Sequence, residues 1–362
     1  MTTTLVDFVN DIKNNIQVTD ADVMHELNLI IYFNRILLLI GMITLPYYNL
    51  IPILCLGLYT TTNFTIVAHH TIHGGFDNHD KSNYYKRGKY AYGIRRFIDW
   101  FDPIYPEAWN KEHNYYHHFH LNESDDPDLV IRNVELIREI NAPMIIKYLM
   151  TFAMICSWKY VYYASNSYAI FKSQKDIPIA VYRIFSESIS FGLSFLSVYL
   201  PWVICMFYLV PLVYSLLLSS DQVFYNVLFN IFMAETYSNI HSFIIIVTNH
   251  CGEDVSFYST PCKPYSEEYF KRAIEGSVNF DCGNRICDYL HGYLNYQIEH
   301  HMFPDLSILH YKLMQPHIKK YCLENGIKYK QQNVFIRLKK TIDIFVGNTS
   351  MINYKRSSDK SS

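Results

Sequence analysis

The chain has 362 residues, enough for one large domain or two ordinary ones, and half of them are hydrophobic. Its 31 basic and 33 acidic side chains leave a formal net charge of −2, and no basic aromatic motif occurs, so nothing favours nucleic-acid binding. A mean hydropathy near zero suggests a soluble protein, but the average hides strong segregation: no Lys or Arg occurs from Ile36 to Asp80, nor from Ile184 to Cys262.

Residues 1–27 are acidic and polar, which excludes a cleavable signal peptide. An apolar block follows, with an uncharged run from Ile36 to Ala68 interrupted by "LPYYNLIP". At roughly 20 residues per span it predicts two membrane helices, over 29–47 and 50–70. His69-x-x-x-His73 closes this run, and His113-x-x-x-His117-His118 follows within "AWNKEHNYYHHFHLNESDDPDL". The segment "APMIIKYLMTFAMICSWKYVYYA" is apolar but carries Lys147 and Lys159; its Trp and Tyr suit a helix lying in the membrane interface. A fifth span there would move everything after it to the opposite face. A second uncharged run, Ser188 to Ser220, continues through "VFYNVLFNIFMAETYSNIHSFIIIV" and predicts spans over 189–211 and 222–247 with a turn near Ser219 to Gln222. Buried helices of a soluble protein are the bland alternative, disfavoured by uncharged runs longer than about 18 residues. A third cluster, Gln297-x-x-His300-His301, lies in "LHGYLNYQIEHHMFPDL", and the tail 348–362 is expected to be disordered.

The expected fold is therefore all-α and integral to the membrane, with about four spans in two hairpins: a polar segment 1–27, a membrane domain 28–347, and the tail. Two hairpins leave residues 1–27, about 71–187 and about 249–362 on one side. Lys and Arg concentrate in the latter two regions, which the positive-inside rule assigns to the cytosol. All three histidine clusters fall on that side. The eight cysteines lack zinc-finger spacing (Cys282 and Cys287 have no matching second pair), and cytosolic placement predicts free thiols.

Imidazole suits first-row metals. Eight nitrogen or amide donors on three segments are too many for one zinc, which takes four, and fit two metal ions. On a helix, positions i and i+4 share a face, so His69 with His73 and His113 with His117 point together, His118 flanking; Gln297, His300 and His301 occupy i, i+3 and i+4. His250, in "IVTNHCGED", falls where the last span leaves the membrane and is a further ligand candidate; His241, deeper, is a candidate for the substrate path. Glu112, Asp125, Asp126, Asp128 and Glu299 can accept the second ring N–H of a ligand histidine, with Asp126 and Asp128 leading and a solvated acidic loop as the plain alternative. His70 points about 100° away from the first pair and reads as packing or an outer group. His120 and His291 are outer candidates, while His25, His79, His310 and His317 read as surface residues. Paired Glu-x-x-His ligands, as in soluble diiron bundles, do not occur. Zinc has no redox activity and copper sites often recruit Cys or Met, so iron and oxidative chemistry on unactivated C–H bonds are favoured.

These boxes resemble those of the membrane fatty acid desaturase superfamily. "LNYQIEHHMFP" looks like the front-end branch, with Gln in place of the first His; "EHNYYHHFHLNESDDPDL" is similar to the family's "HN-x-x-HH…DPD". "HHTIHGGFD" departs from "HD-x-x-H" by having His70 where Asp is usual, which leaves the outer partner of the first box open but not its ligand pair. The resemblance spans roughly Asn63 to Tyr329. It implies four membrane helices under a cytosolic cap with two irons held by His69, His73, His113, His117, His118, His300 and His301. Gln297 would ligate weakly or through water, and His250 matches an additional family histidine. The implied reaction removes two hydrogens from an acyl chain using dioxygen and two electrons. The substrate would be a fatty acyl lipid or acyl-CoA in a narrow apolar tunnel, with Tyr115, Tyr116 and Tyr296 candidates to shape it. No His-Pro-Gly-Gly haem motif occurs, so electrons are expected from a separate donor, cytochrome b5 or a ferredoxin. The endoplasmic reticulum is the expected membrane for a eukaryotic source. A hydroxylase on the same scaffold is the nearest alternative, and a non-catalytic membrane protein with a zinc-filled site the more distant one.

Overall fold

The computed structural model describes residues 4–173 and 189–354. Helix α1, Leu5–Asn15, opens with a capping box between Thr4 and Asp7 and buries Leu5, Val9 and Ile12 at helical spacing. The amino-terminal segment is thus an amphipathic helix docked on the core as well as a polar stretch. Helix α2, Asp20–Thr44, is capped by Thr19. Helix α3, Leu50–Thr62, continues through a π-helical turn, Asn63–Ala68, into α4, His69–His73, where Gly74 ends it at φ 90°. Helix α5, Pro106–Lys111, runs into a second π turn, Glu112–His117. Helix α6, Met144–Ser157, leads through Trp158–Tyr163 to α7, Ala164–Ser173. Helices α8, Ile189–Ile204, and α9, Val210–Leu218, form one long rod, and α10 spans Asp221–Ile246. Beside short helical turns, the elements that follow are strand β1, Ser256–Tyr258, helices α11, Glu267–Glu275, α12, Gln297–Met302, α13, Ile308–Glu324, and α14, Val334–Phe345, and strand β2, Ile352–Tyr354.

Three of the described helices are long and apolar enough to cross a membrane: Asp20–Thr44, Leu50–His73 and Ser190–Leu218. The α10 helix is as long but carries Asn230, Glu235, Ser238, Asn239 and Ser242, all buried. Two of these groups meet α2 and α3 directly: Asn230 donates to the carbonyls of Leu45 and Tyr47 (2.9 and 2.8 Å), closing the α2–α3 turn, and Thr61 donates to Ser238 (3.2 Å). A Cβ on Gly57 would lie 2.8 Å from the Ala234 carbonyl, so this glycine permits the close packing of α3 on α10. On the outside, Leu39, Ile43 and Leu217 are 60%, 63% and 75% exposed, an apolar belt of the kind that meets lipid.

The core runs continuously from the bundle into the cap, joining Leu27, Phe64, Trp100, Phe243, Ile298 and Phe345. Strands β1 and β2 pair in parallel, Ser256 opposite Ile352. The ordered chain thus extends past residue 348, where disorder was expected; Met351 is buried and anchors it. Residues 355–362 of that tail lie outside the described residues.

Candidate metal centre

Two irregular helices set the site. In the Glu112–His117 turn the amide of His118 donates to the carbonyl of His113 (3.1 Å), an i→i+5 bond. Residues five apart then share a face, so His118 turns inward with His113 rather than merely flanking it on a regular α-helix. His69 and His73 follow the first π turn on regular helix, as their spacing predicts.

The rings assemble into two groups. Ligand atoms of His69, His73, His113 and His300 lie within 4.8 Å of one another, and so do those of His117, His250 and His301. His118 sits between the groups, its ring centroid 4.5 Å from His73, 4.7 Å from His300 and 4.6 Å from His301. The Gln297 amide ends 3.0 Å from Nε2 of His250 and 2.9 Å from Nε2 of His301. All nine residues are buried. The structure therefore brings together every residue proposed from the sequence as a ligand.

Metal ions suit this arrangement. Nε2 of His73, both ring nitrogens of His113 and His118, and Nδ1 of His250 and His301 are buried without a hydrogen-bond partner. Buried polar atoms are rarely left unpaired, because the desolvation cost is uncompensated. The Nε2 atoms of His69 and His300 are 3.0 Å apart. Two imidazoles held about 2.1 Å from one ion at right angles would have that separation, about 3.0 Å. Burial, and then the neighbouring imidazoles, hold His113, His118, His250, His300 and His301 well below the usual histidine range, so they present neutral lone pairs.

His117 is different. Burial pushes its pKa down, but the Asp126 carboxylate, 2.9 Å from Nδ1, outweighs that and raises it. Asp126 itself is fixed by the backbone amides of Asn122 and Asp128 (2.7 and 2.8 Å). The remaining carboxylates do not orient ligand rings as expected. Asp125 is exposed. Glu299 accepts from Asn279 and Tyr329 (2.8 and 2.9 Å). Glu112 is fully buried and grouped with His113 and Asp128. Burial, then repulsion between these carboxylates, lifts Glu112 well above the usual carboxylate range, and burial lifts Asp128 to about 6.

Other histidines divide as well. His70 is buried beside His300 and Tyr311, consistent with packing. His120 pairs with Glu123 (2.9 Å). His25 and His317 are exposed. His79 instead contacts Asp20 (3.0 Å), and His310 is buried against Ser307 (2.8 Å), so neither is a free surface residue. His241 bonds the Leu290 carbonyl (2.7 Å) and does not line the cavity at the site.

A narrow cavity opens against His69, His113, His117, His250 and Gln297, with Trp158, Phe243 and Phe345 among its apolar walls. None of Tyr115, Tyr116 and Tyr296 lines it. Tyr115 is 59% exposed, and the Tyr296 hydroxyl donates to Asp288 (3.1 Å). Two supporting residues escaped sequence reasoning. Trp109 stacks on His113 (4.5 Å, 21°) and donates to the Tyr163 hydroxyl (2.9 Å); its position four before His113 was the available signal. Tyr311, 3.4 Å from Nδ1 of His300, had none.

A family model described as fatty acid desaturase matches residues 44–333. The chain belongs to the fatty acid desaturase family. Among its relatives, the probable Delta(5) fatty acid desaturase C of Dictyostelium discoideum is 24% identical over 69% of this chain and 55% of the relative. A Delta 8-(E)-sphingolipid desaturase of Candida albicans is 25% identical over 64% and 40%. The Delta(5) fatty acid desaturase A of Dictyostelium discoideum is 29% identical over 22% and 18%. In none of these three does the match cover more than 55% of the relative's length. No solved structure matches the chain.

Proposed function

We propose that the protein is an oxygen-dependent, non-haem diiron fatty acyl desaturase, embedded by four spans with its histidines on the cytosolic face. The observation that carries this reading is the convergence of two buried imidazole groups on an apolar cavity. The fourth span would be α10, whose polar groups face its neighbours. Helix α6, with Ile145, Leu149 and Phe152 exposed on one face, would lie in the interface beside the cavity mouth.

The relatives' names point to acyl or sphingoid lipids as substrates. In the reaction, two hydrogens leave adjacent carbons and, with two electrons and two protons from outside, dioxygen is reduced to two waters. Iron, when bound, would supply oxygen activation and C–H cleavage. His69, His73, His113 and His300 would hold one ion; His117, His250 and His301 would hold the other, with His118 between them and Gln297 at the second. Trp158, Phe243 and Phe345 would hold the chain extended and exclude water. Asp126 would keep the His117 proton on Nδ1, leaving Nε2 free to ligate. A separate carrier, cytochrome b5 or a ferredoxin, would deliver the electrons.

The test is the lipid profile of a host expressing the chain with a competent electron donor, compared with the His117→Ala, His118→Ala variant. A new unsaturated species only with intact histidines is the expected result. A species that gains oxygen instead would assign hydroxylation.

A further inference from the structure

A second cavity system lies among the membrane helices, apart from the histidine site. One chamber, about 290 Å³, has walls from α2, α3 and α10, including Leu38, Leu56 and Ile231. A neighbouring chamber of about 190 Å³ shares Leu38, Tyr59, Asn63 and Ile98 with it. The second chamber contains Arg35, the cation excluded from the long uncharged run that begins at Ile36. Among the described residues no carboxylate pairs with Arg35. The Asp99 carboxylate in the same chamber is already used, accepting from the Tyr84 hydroxyl (2.5 Å), the Ala91 amide (2.9 Å) and Arg95 (2.8 Å). Beside Arg35, the Nδ2 donor of Asn34 is buried, 3% exposed as a residue, and has no hydrogen-bond partner. The chamber thus offers an uncompensated cation and an unused N–H donor.

Its depth suits a lipid headgroup. The exposed apolar face of α2 starts at Leu29, so Arg35 is six residues, about 9 Å, further in. A long side chain can snorkel over that distance to the interface. Ile98, which lines this chamber, and Ile94, on the short helical turns Gly93–Arg95 and Arg96–Asp99, are 76% and 77% exposed, as expected for residues entering lipid.

We infer that this groove is a second lipid site, which binds the phosphate of an anionic phospholipid at Arg35 and Asn34 and one of its acyl chains in the apolar chamber between α2 and α3. The guanidinium fork matches phosphate oxygens, and Asn34 adds a neutral donor. The chamber is also lined by the carboxylates of Asp102 and Glu235, which share buried Lys159 (3.0 and 3.9 Å), and Glu235 accepts from the Tyr160 hydroxyl as well (2.5 Å), so both are engaged within the protein. The inference rests on the membrane placement above but not on the reaction catalysed.

The experiment uses the full chain in nanodiscs with equal parts phosphatidylglycerol and phosphatidylcholine, reading co-purified lipid by mass spectrometry, with iron content measured on the same samples. Wild type should retain phosphatidylglycerol over phosphatidylcholine. Arg35→Gln should lower that retention about tenfold, and Leu38→Trp, which fills the groove but keeps the cation, should lower it as well, both with unchanged iron. Arg35→Lys guards against a folding defect in the Gln variant and should retain a preference. Unchanged retention in Arg35→Gln, or equal retention of both lipids by wild type, would overturn the proposal. Wild type that retains phosphatidylglycerol over phosphatidylcholine but holds no iron would count against the metal-centre reading and leave the lipid site standing.

Discussion

At His117 a single carboxylate, that of Asp126, meets Nδ1 (2.9 Å). Asp126 is held by two backbone amides and is completely buried, so its position does not depend on side-chain chance. The neighbouring Asp128 points towards Glu112 and the Tyr162 hydroxyl instead (3.4 Å from the latter). Replacing Asp126 by Asn keeps the size and removes the charge. Metal affinity or turnover should fall about 10–100-fold. Asp128→Asn should leave His117 oriented and have the smaller effect on iron content. Equal iron in wild type and Asp126→Asn would remove the carboxylate from the account of the site.

At the scale of elements, the π turns and the carboxy-terminal helix do the positioning. The i→i+5 turn at Glu112–His117 brings His118 into the ring; a regular helix would turn it aside. Helix α14 braces the segment that carries His250. Its Arg337, fully buried, donates to the carbonyls of Thr248 (3.3 Å) and Cys251 and to the Asp254 carboxylate (2.7 Å). Arg337→Met would leave those carbonyls unsatisfied on either side of His250. A loss of about 3 kcal/mol in stability is expected, read as a lowered Tm, with the second histidine group losing its metal before the first. An unchanged Tm would show that water replaces the guanidinium without cost.

For the whole molecule, the arrangement of α2, α3, α8, α9 and α10 as two hairpins places residues 45–49 and 219–220 at the far end from the histidines. In sealed vesicles whose cytosolic face points inward, Tyr48→Cys and Gln222→Cys should react with an impermeant thiol reagent from outside. Lys81→Cys should react only after permeabilisation. Labelling of only one of the two hairpin tips would overturn the proposed four-span topology; labelling of Lys81→Cys alone would reverse the proposed orientation.

Much of this was legible from residue order because two kinds of information are local. Charge exclusion over Ile36–Ala68 and Ser188–Ser220 marks apolar helices, since the bilayer penalises each charge regardless of tertiary partners. Histidine spacing marks ligand sets, because helical geometry aligns neighbours whatever lies opposite. By the same logic α10 was read as a span although its polar residues leave it less apolar than the other three. Other features belong to the assembled fold alone. Which carboxylate meets a ring depends on loop paths, so Asp126 could not be told from Asp128. The π turns arise from local ladder geometry that no spacing rule distinguishes from regular helix. The cavity walls Trp158, Phe243 and Phe345 come from three distant segments, and the order of residues 348–354 rests on pairing with Ser256–Tyr258. The sequence by itself determined an apolar bundle with a histidine-rich polar face; only packing decided how those histidines divide into two groups, because that division depends on distances between segments far apart in the chain.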